Sequence, residues 1–406
     1  MPVYGLNNQR IRHHNKSVLL EILYREKIAS KSTLAKRSQL SIPAVSKILA
    51  ELEQEKKVSH QQESLHARGN SGGSYRITPE PGFILCLNVT PYMIESVLVD
   101  GWITPQSALK STNIKATTPE ALLTEIERLY REYYQLNRPQ PLRLALSIHG
   151  QVNPVTGVSQ NMPQAPWNDP IEIKFLLEER LNTELLMDND CIMLALAEKW
   201  QNHHNFQDFC VINVDYGIGS SFVINHQIYR GSLYGSGQIG HTIIDPDGSQ
   251  CDCGRYGCLE TIASLSALKK MARKMRKVHA RYTQEQSLSA TPSTEWLITH
   301  YHQGDEELRS MVNKAARAIG LSLYNFLNIL NINQIYLYGR SCGFGKEWLQ
   351  LIREQTGFNP FDQTDTVFIN ATNISFGHLS RQQQVMGIAY LYVEQALKEM
   401  NEQNLM

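Results

Sequence analysis

Three of the seven cysteines, Cys251, Cys253 and Cys258, fall in a C-x-C-x4-C spacing, and His241 lies a short way upstream. One imidazole and three thiolates complete a tetrahedral coordination sphere, and a sphere with no open position belongs to a structural zinc site. Gly254 and Gly257 let the backbone fold back sharply enough to aim three sulfurs at one point. The expectation is one Zn2+ per chain, held by His241, Cys251, Cys253 and Cys258 in a loop spanning 241–258. The alternative is small residues packed in a turn, in a chain otherwise poor in cysteine. The other four cysteines, Cys86, Cys191, Cys210 and Cys342, are scattered singly, as buried thiols are in a reducing cytoplasm.

Such a loop needs a body to position it. The chain has 406 residues, 42% hydrophobic and 19% charged, enough for two or three domains and a substantial core. The stretch from Met1 to Lys16 is polar, unlike a signal peptide, and no apolar run is long enough to span a membrane. A cytoplasmic location is expected. The net charge of zero is unevenly spread. The first 80 residues hold 13 Lys+Arg against 7 Asp+Glu, and the remainder holds 26 against 32. A basic module on an acidic body points to a nucleic-acid partner for the first part.

Residues 1–80 read as a winged helix-turn-helix. Val18, Leu19, Ile22 and Leu23 form the apolar stripe of a first helix, and a short helix follows around Ser32–Arg37. After the turn Ser38-Gln39-Leu40-Ser41, Ser41 is a good N-cap and Pro43 falls in the first turn, where its missing N–H costs nothing. Val45, Ile48, Leu49 and Leu52 face inward at helical spacing. The opposite face is free to enter a major groove. The candidate DNA contacts are Ser32, Ile42, Pro43, Ala44, Ser46 and Lys47, with Arg68 in the Gly-rich wing between His60 and Ser74. A three-helix protein-interaction module is the alternative.

Residues 81–406 alternate strands and helices, an α/β pattern read as two lobes around a cleft. Strands are expected at Phe83–Val89, Ile94–Val99, Leu142–Ile148, Leu185–Met187, Phe209–Val214, Ser221–Ile224 and Ile335–Tyr338. Helices are expected at Ala121–Tyr134, Ile171–Leu181, Cys191–Trp200, Glu306–Leu330 and Gln384–Lys398, and a polar surface loop at His279–Thr294. The strand pairs beginning at Phe83 and Phe209 suggest two related halves.

Gly240-His241 followed by Cys251-x-Cys253-Gly254-x-x-Gly257-Cys258-x-Glu260 resembles the signature of the ROK family (repressors, open reading frames, kinases). The resemblance covers essentially the whole chain, and the N-terminal module is similar to that of the family's repressor branch, the glucose and N-acetylglucosamine regulators. It implies an actin/hexokinase-like (ribonuclease H-like) two-lobed body, a sugar-responsive repressor of carbohydrate genes, and homodimers or tetramers on a palindromic double-stranded operator. It also implies an effector site, a sugar or sugar phosphate held by Gly150, Asn189, Asp190, Gln238, His241 and Glu260, with Asn161 and Trp167 as further candidates. His241 would serve zinc and sugar through its two ring nitrogens.

The family's kinases carry glycine-rich phosphate loops. The matching stretches here are Asn88-Val89-Thr90-Pro91-Tyr92, Asp215-Tyr216-Gly217-Ile218-Gly219 and Gly339-Arg340-Ser341. A proline removes a donor from the first, and a carboxylate and a ring sit in the second where phosphate oxygens would lie. These departures favour a regulator without catalytic residues over the alternative of a zinc-containing sugar kinase with an appended interaction domain. A third possibility is a sensor that docks a protein partner. Gln238 stands where the family usually has glutamate, and His149 where a proline commonly precedes the glycine. Both leave the identity of the effector open.

Overall fold

The computed structural model describes residues 8–61, 73–201, 206–275, 292–356 and 372–402. Its first elements follow from their caps. α1 (Asn8–Glu26) and β1 (Ala29–Ser30) precede α2 (Lys31–Ser38), where Ser30 Oγ accepts the Thr33 N–H at 3.1 Å. Gln39 ends α2 in the left-handed region, and Ser41 Oγ accepts the Ala44 N–H at 3.3 Å to start α3 (Ile42–Gln54), with Pro43 in its first turn. The expected stripe Val45, Ile48, Leu49 and Leu52 is buried. In α1 the buried face is Leu19, Leu20 and Leu23, while Val18 and Ile22 are only partly covered, because α1 also packs on the body. β2 (Val58–Gln61) and β3 (Ser74–Ile77) pair antiparallel, and β1 joins β3 to complete a three-stranded sheet. Arg68 lies outside the described residues.

The body repeats one sheet plan twice. The first lobe holds β4 (Phe83–Val89), β5 (Met93–Asp100), β6 (Lys110–Asn113), α4 (Pro119–Asn137), β7 (Leu142–Ile148), β8 (Gln151–Asn153), β9 (Val158–Asn161), α5 (Ile173–Leu181) and β10 (Leu185–Asn189). Its main sheet runs β10-β7-β4-β5-β6, the hairpin strands antiparallel and the other pairs parallel. α6 (Asp190–Gln201) leads to the second lobe: β11 (Phe209–Val214), β12 (Ile218–Ile224), β13 (Gln227–Tyr229), α7 (Glu260–Ala263), α8 (Leu265–Lys274), α9 (Thr294–His302), α10 (Glu306–Leu330), β14 (Gln334–Tyr338), α11 (Gly345–Thr356) and β15 (Asn373–Phe376). Its sheet runs β13-β12-β11-β14-β15 with the same parallel and antiparallel pairing. The two halves that begin at Phe83 and Phe209 therefore share a topology.

The period-3.6 stripe of α4 is buried as read, with Leu122, Ile126 and Leu129 fully covered. Each contributes about 1.5–3 kcal/mol of apolar burial. The expected C-terminal helix Gln384–Lys398 is instead two helices, α12 (Arg381–Met386) and α13 (Tyr390–Glu402), joined by a 3-10 turn at Gly387–Ala389. The physical reason is close packing on α6, since a Cβ at Gly387 would lie 2.3 Å from the Met193 carbonyl oxygen. Thr294, read as loop, begins α9 under the cap of Ser293. Most of the expected loop from His279 lies outside the described residues.

Three apolar clusters result. One fills each lobe, and the third joins the N-terminal module, α6, α13 and the facing sides of both sheets. Among the described residues no helix is long and apolar enough to cross a membrane.

Candidate metal centre and interlobe cleft

The loop between β13 and α7 brings His241, Cys251, Cys253 and Cys258 together, their donor atoms all within 4.8 Å of one another. Cys251 Sγ lies 3.5 Å from His241 Nδ1, and Cys253 Sγ lies 3.6 Å from Cys258 Sγ. A tetrahedron with metal–sulfur bonds of about 2.3 Å has edges of roughly 3.7 Å, which these two pairs match, and all four donors lie close enough to converge on one ion. Gly254 and Gly257 both adopt positive φ, and a Cβ at Gly257 would lie 1.5 Å from the Asp245 carbonyl oxygen. That is the sharp reversal the spacing called for. Thr242 Oγ1 meets Ser322 Oγ of α10 at 2.9 Å, which fastens the start of the loop to the second lobe. Cys253 is exposed while Cys258 is fully buried.

The loop borders a cavity of about 430 Å³ between the lobes, within the size range of small-molecule sites. Gly150, Asn189, Asp190, Gln238, His241 and Glu260 all line it, as do Asn161 and Trp167. Three of them are already engaged by the backbone. The N-cap of α6 is Asn189, whose Oδ1 accepts the Ile192 N–H at 2.8 Å; Asp190 is already inside the helix. Glu260 Oε2 accepts the Ile218 N–H at 2.9 Å, so one of its oxygens holds the β11–β12 turn rather than standing free. Asn161 Oδ1 likewise accepts the Gln151 N–H at 3.0 Å.

The residue the sequence reading did not assign a role is His149. Its Nδ1 lies 2.8 Å from Asp190 Oδ2. Burial works against charge on the imidazole, but Asp190, with Asp215 and Glu260 further off, outweighs it and holds the His149 pKa above its ordinary value. Burial would likewise raise Asp190, yet the same pairing holds its carboxyl below the usual range. The unusual dipeptide His149-Gly150 was the available signal. Its partner, 41 positions away, was not visible in the spacing.

Beside Asp215, which also lines the cavity, the chain pairs its own charges. Arg340 Nε lies 3.0 Å from Asp215 Oδ1, and the Arg340 backbone N–H reaches Asp215 Oδ2 at 3.3 Å. The guanidinium covers the Tyr216 ring at 4.1 Å, and Lys269 Nζ lies 4.7 Å from the same ring. Asn88, from the first loop, is buried; it accepts from Ser147 Oγ at 2.9 Å and donates to Glu95 Oε2 at 2.9 Å. Glu95 is in turn held by Arg381 Nε at 2.9 Å. The second and third departures seen in sequence are thus one ion-pair cluster, and the first is a buried polar network.

Comparison with known proteins agrees with this architecture. The model of the family described as "ROK family" matches residues 92–395. The uncharacterized protein YphH of Escherichia coli (strain K12) is 59% identical over 394 residues, covering 97% of this chain and 99% of its own. A xylose repressor of Caldicellulosiruptor bescii is 24% identical, covering 86% and 88%. A ROK family transcriptional regulator solved as a homolog of the E. coli MLC protein superposes with a TM-score of 0.74 at 20% identity, covering 97% of this chain and 98% of that one. Sugar kinases also match, over shorter parts of the chain than that xylose repressor.

Proposed function

This chain belongs to the ROK family, and from that premise we propose that it is a sugar-responsive, DNA-binding transcriptional regulator, a repressor of carbohydrate uptake or metabolism genes. The division of labour is a winged helix-turn-helix over residues 1–80 and a sensing and oligomerising body over 81–406. The observation that carries the reading is the Asp215–Arg340–Tyr216 cluster. Asp215 borders the same cavity as Asp190, Gln238 and His241, and its carboxylate is already bound by Arg340, whose guanidinium covers the Tyr216 ring. A nucleotide phosphate placed there would meet the Asp215 carboxylate and would have to compete with it for the Arg340 guanidinium.

In this reading Ile42, Pro43 and Lys47, exposed on the first turns of α3, meet the major groove together with Ser32, Ala44 and Ser46, and Arg68 reaches from the wing. The operator is palindromic, read by a homodimer or tetramer in the cytoplasm. The cleft takes a sugar or sugar phosphate through Gly150, Asn189, Asp190, Gln238, His241 and Glu260. The four-donor cluster holds one structural Zn2+, which orders the loop and leaves the second ring nitrogen of His241 for the effector. Electrophoretic shift and footprinting on the chain's own upstream DNA test the reading. The expected result is a protected palindrome with affinity that falls steeply with salt. Binding that shows no preference for any sequence overturns it.

The sugar kinases among the relatives give a second reading, a zinc-containing ROK sugar kinase with an appended interaction domain. It requires ATP-dependent phosphorylation of a hexose by the purified protein. The expected outcome is no turnover.

A further inference from the structure

The cleft and the N-terminal module are joined by one buried helix. Asp190, which lines the cleft, is the first residue of α6, and Lys199 and Trp200 lie near its other end. Every residue from Cys191 to Trp200 is buried. At 1.5 Å per residue the helix is about 18 Å long. At its far end Arg25 of α1 donates to the Lys199 carbonyl at 2.7 Å and lies over the Trp200 ring at 5.1 Å. Tyr24 meets that ring edge-on at 6.2 Å. The same indole is held from the body: Trp200 stacks on Tyr390 at 5.4 Å, and its Nε1 donates to Glu394 at 2.9 Å. In the same last turn Glu198 accepts the hydroxyl of Tyr338 from the central strands of the second lobe.

A helix surrounded at interior packing density has no slack with which to absorb a displacement at one end. It shifts as a body, and the contacts at its other end shift with it. The joint at that end is directional, because a guanidinium bound to a carbonyl and seated on an indole senses both translation and rotation. Its position matters because α1 forms the floor of the N-terminal module, joined to α3 through the salt bridge from Lys16 to Glu51 at 3.2 Å.

We propose that α6 is the element through which the state of Asp190 reaches the N-terminal module, with Arg25 and Trp200 as positioning residues that set the angle of α1 on the body. That an effector sets the state of Asp190 rests on the regulator reading above; the mechanical link does not. Neither effector nor operator is therefore needed to test it.

Hydrogen exchange on the full-length protein compares wild type with Asp190→Asn, which removes the charge facing His149 with little change of shape. The expected result is a change of about threefold or more in amide exchange along α6 and also in residues 17–26 of α1. In the Asp190→Asn, Arg25→Ala double variant the α6 response stays and the α1 response disappears. His149→Gln, which disturbs the same carboxylate from outside the helix, is expected to reproduce the pattern. Exchange in α1 that ignores both cleft substitutions overturns the proposal, and so does an α1 response that survives Arg25→Ala. A wild-type protein that binds no specific DNA yet passes the exchange test would sink the regulator reading and leave the link standing.

Discussion

His149 and Asp190 show how one side chain changes what a site can do. Asp190 alone would offer a cleft ligand a free carboxylate; with His149 at 2.8 Å, part of that capacity is taken and the imidazole gains a fixed orientation. The raised His149 contributes stability that is complete below its unfolded value of about 6.5 and is lost as pH rises through its folded value. The lowered Asp190 contributes stability that is present above about pH 3.9 and is lost as pH falls through its own folded value. The pair therefore stabilises most between roughly pH 4 and 6.5. His149→Gln is expected to cost about 1–2 kcal/mol in that window, with the deficit shrinking at alkaline pH; denaturant midpoints measured across pH decide it. At the metal centre, Cys253 is the exposed donor and its loss leaves three. Outer-sphere partners alone are worth about 10–100-fold in metal affinity. Cys253→Ser is thus expected to lower zinc affinity by more than tenfold, and undiminished zinc content after dialysis against a chelator would contradict the assignment.

Among the elements, α3 carries the most specific expectation. Its inward stripe builds the module, and its cap at Ser41 satisfies a donor that would otherwise be orphaned. Ser41→Ala should cost about 0.5–2 kcal/mol of stability. Lys47→Glu, on the exposed face, should change stability by no more than about 0.5 kcal/mol. The same substitution should weaken DNA binding and lower the salt slope by about one unit, which titrations at several salt concentrations read directly. An unaltered slope would move Lys47 off the interface. The Ser41 cap, the α3 stripe and the turn before it are all local and legible in the sequence, whereas the Ser30 cap of α2 was not read. The edge strands β6, β13 and β15 were not, because short, partly exposed strands lack a hydrophobic alternation of their own and form against a neighbour already in place. The break at Gly387 was equally hidden, since its cause is the approach of Met193 from another part of the chain.

The whole molecule is held by a core that does not respect the boundary near residue 80. Leu19, Leu23 and Leu49 belong to the same buried cluster as Trp200, Tyr390 and strands of the first lobe. Lys27 Nζ donates to the Trp102 carbonyl at 2.7 Å, and Arg76 lies over the Trp102 ring at 4.2 Å, so a second joint supports the β2–β3 pair. The N-terminal module and first lobe are therefore expected to unfold in one calorimetric transition. A separate low-temperature transition that disappears on removal of residues 1–80 would contradict this. A sugar that binds the folded cleft adds about 2.7 kcal/mol at a hundredfold excess over its Kd, so a thermal-shift screen of sugars and sugar phosphates can find the effector by stabilisation alone.

What the sequence by itself determined is whatever a few neighbouring residues decide together. It specified the four side chains of the candidate metal cluster, the capped helix of the N-terminal module, the central strands of the two sheets and the absence of glycine from the stretch after β4. Only the tertiary structure decided that Asp215 and Arg340, 125 positions apart, would pair with each other beside the cleft. The same holds for His149 on Asp190 and for the single helix that joins that carboxylate to Arg25. Caps, turns and chelating loops are short-range, so their partners lie within a few residues. Ion pairs and packed rings form wherever the fold brings them, and their partners are set by topology rather than by spacing.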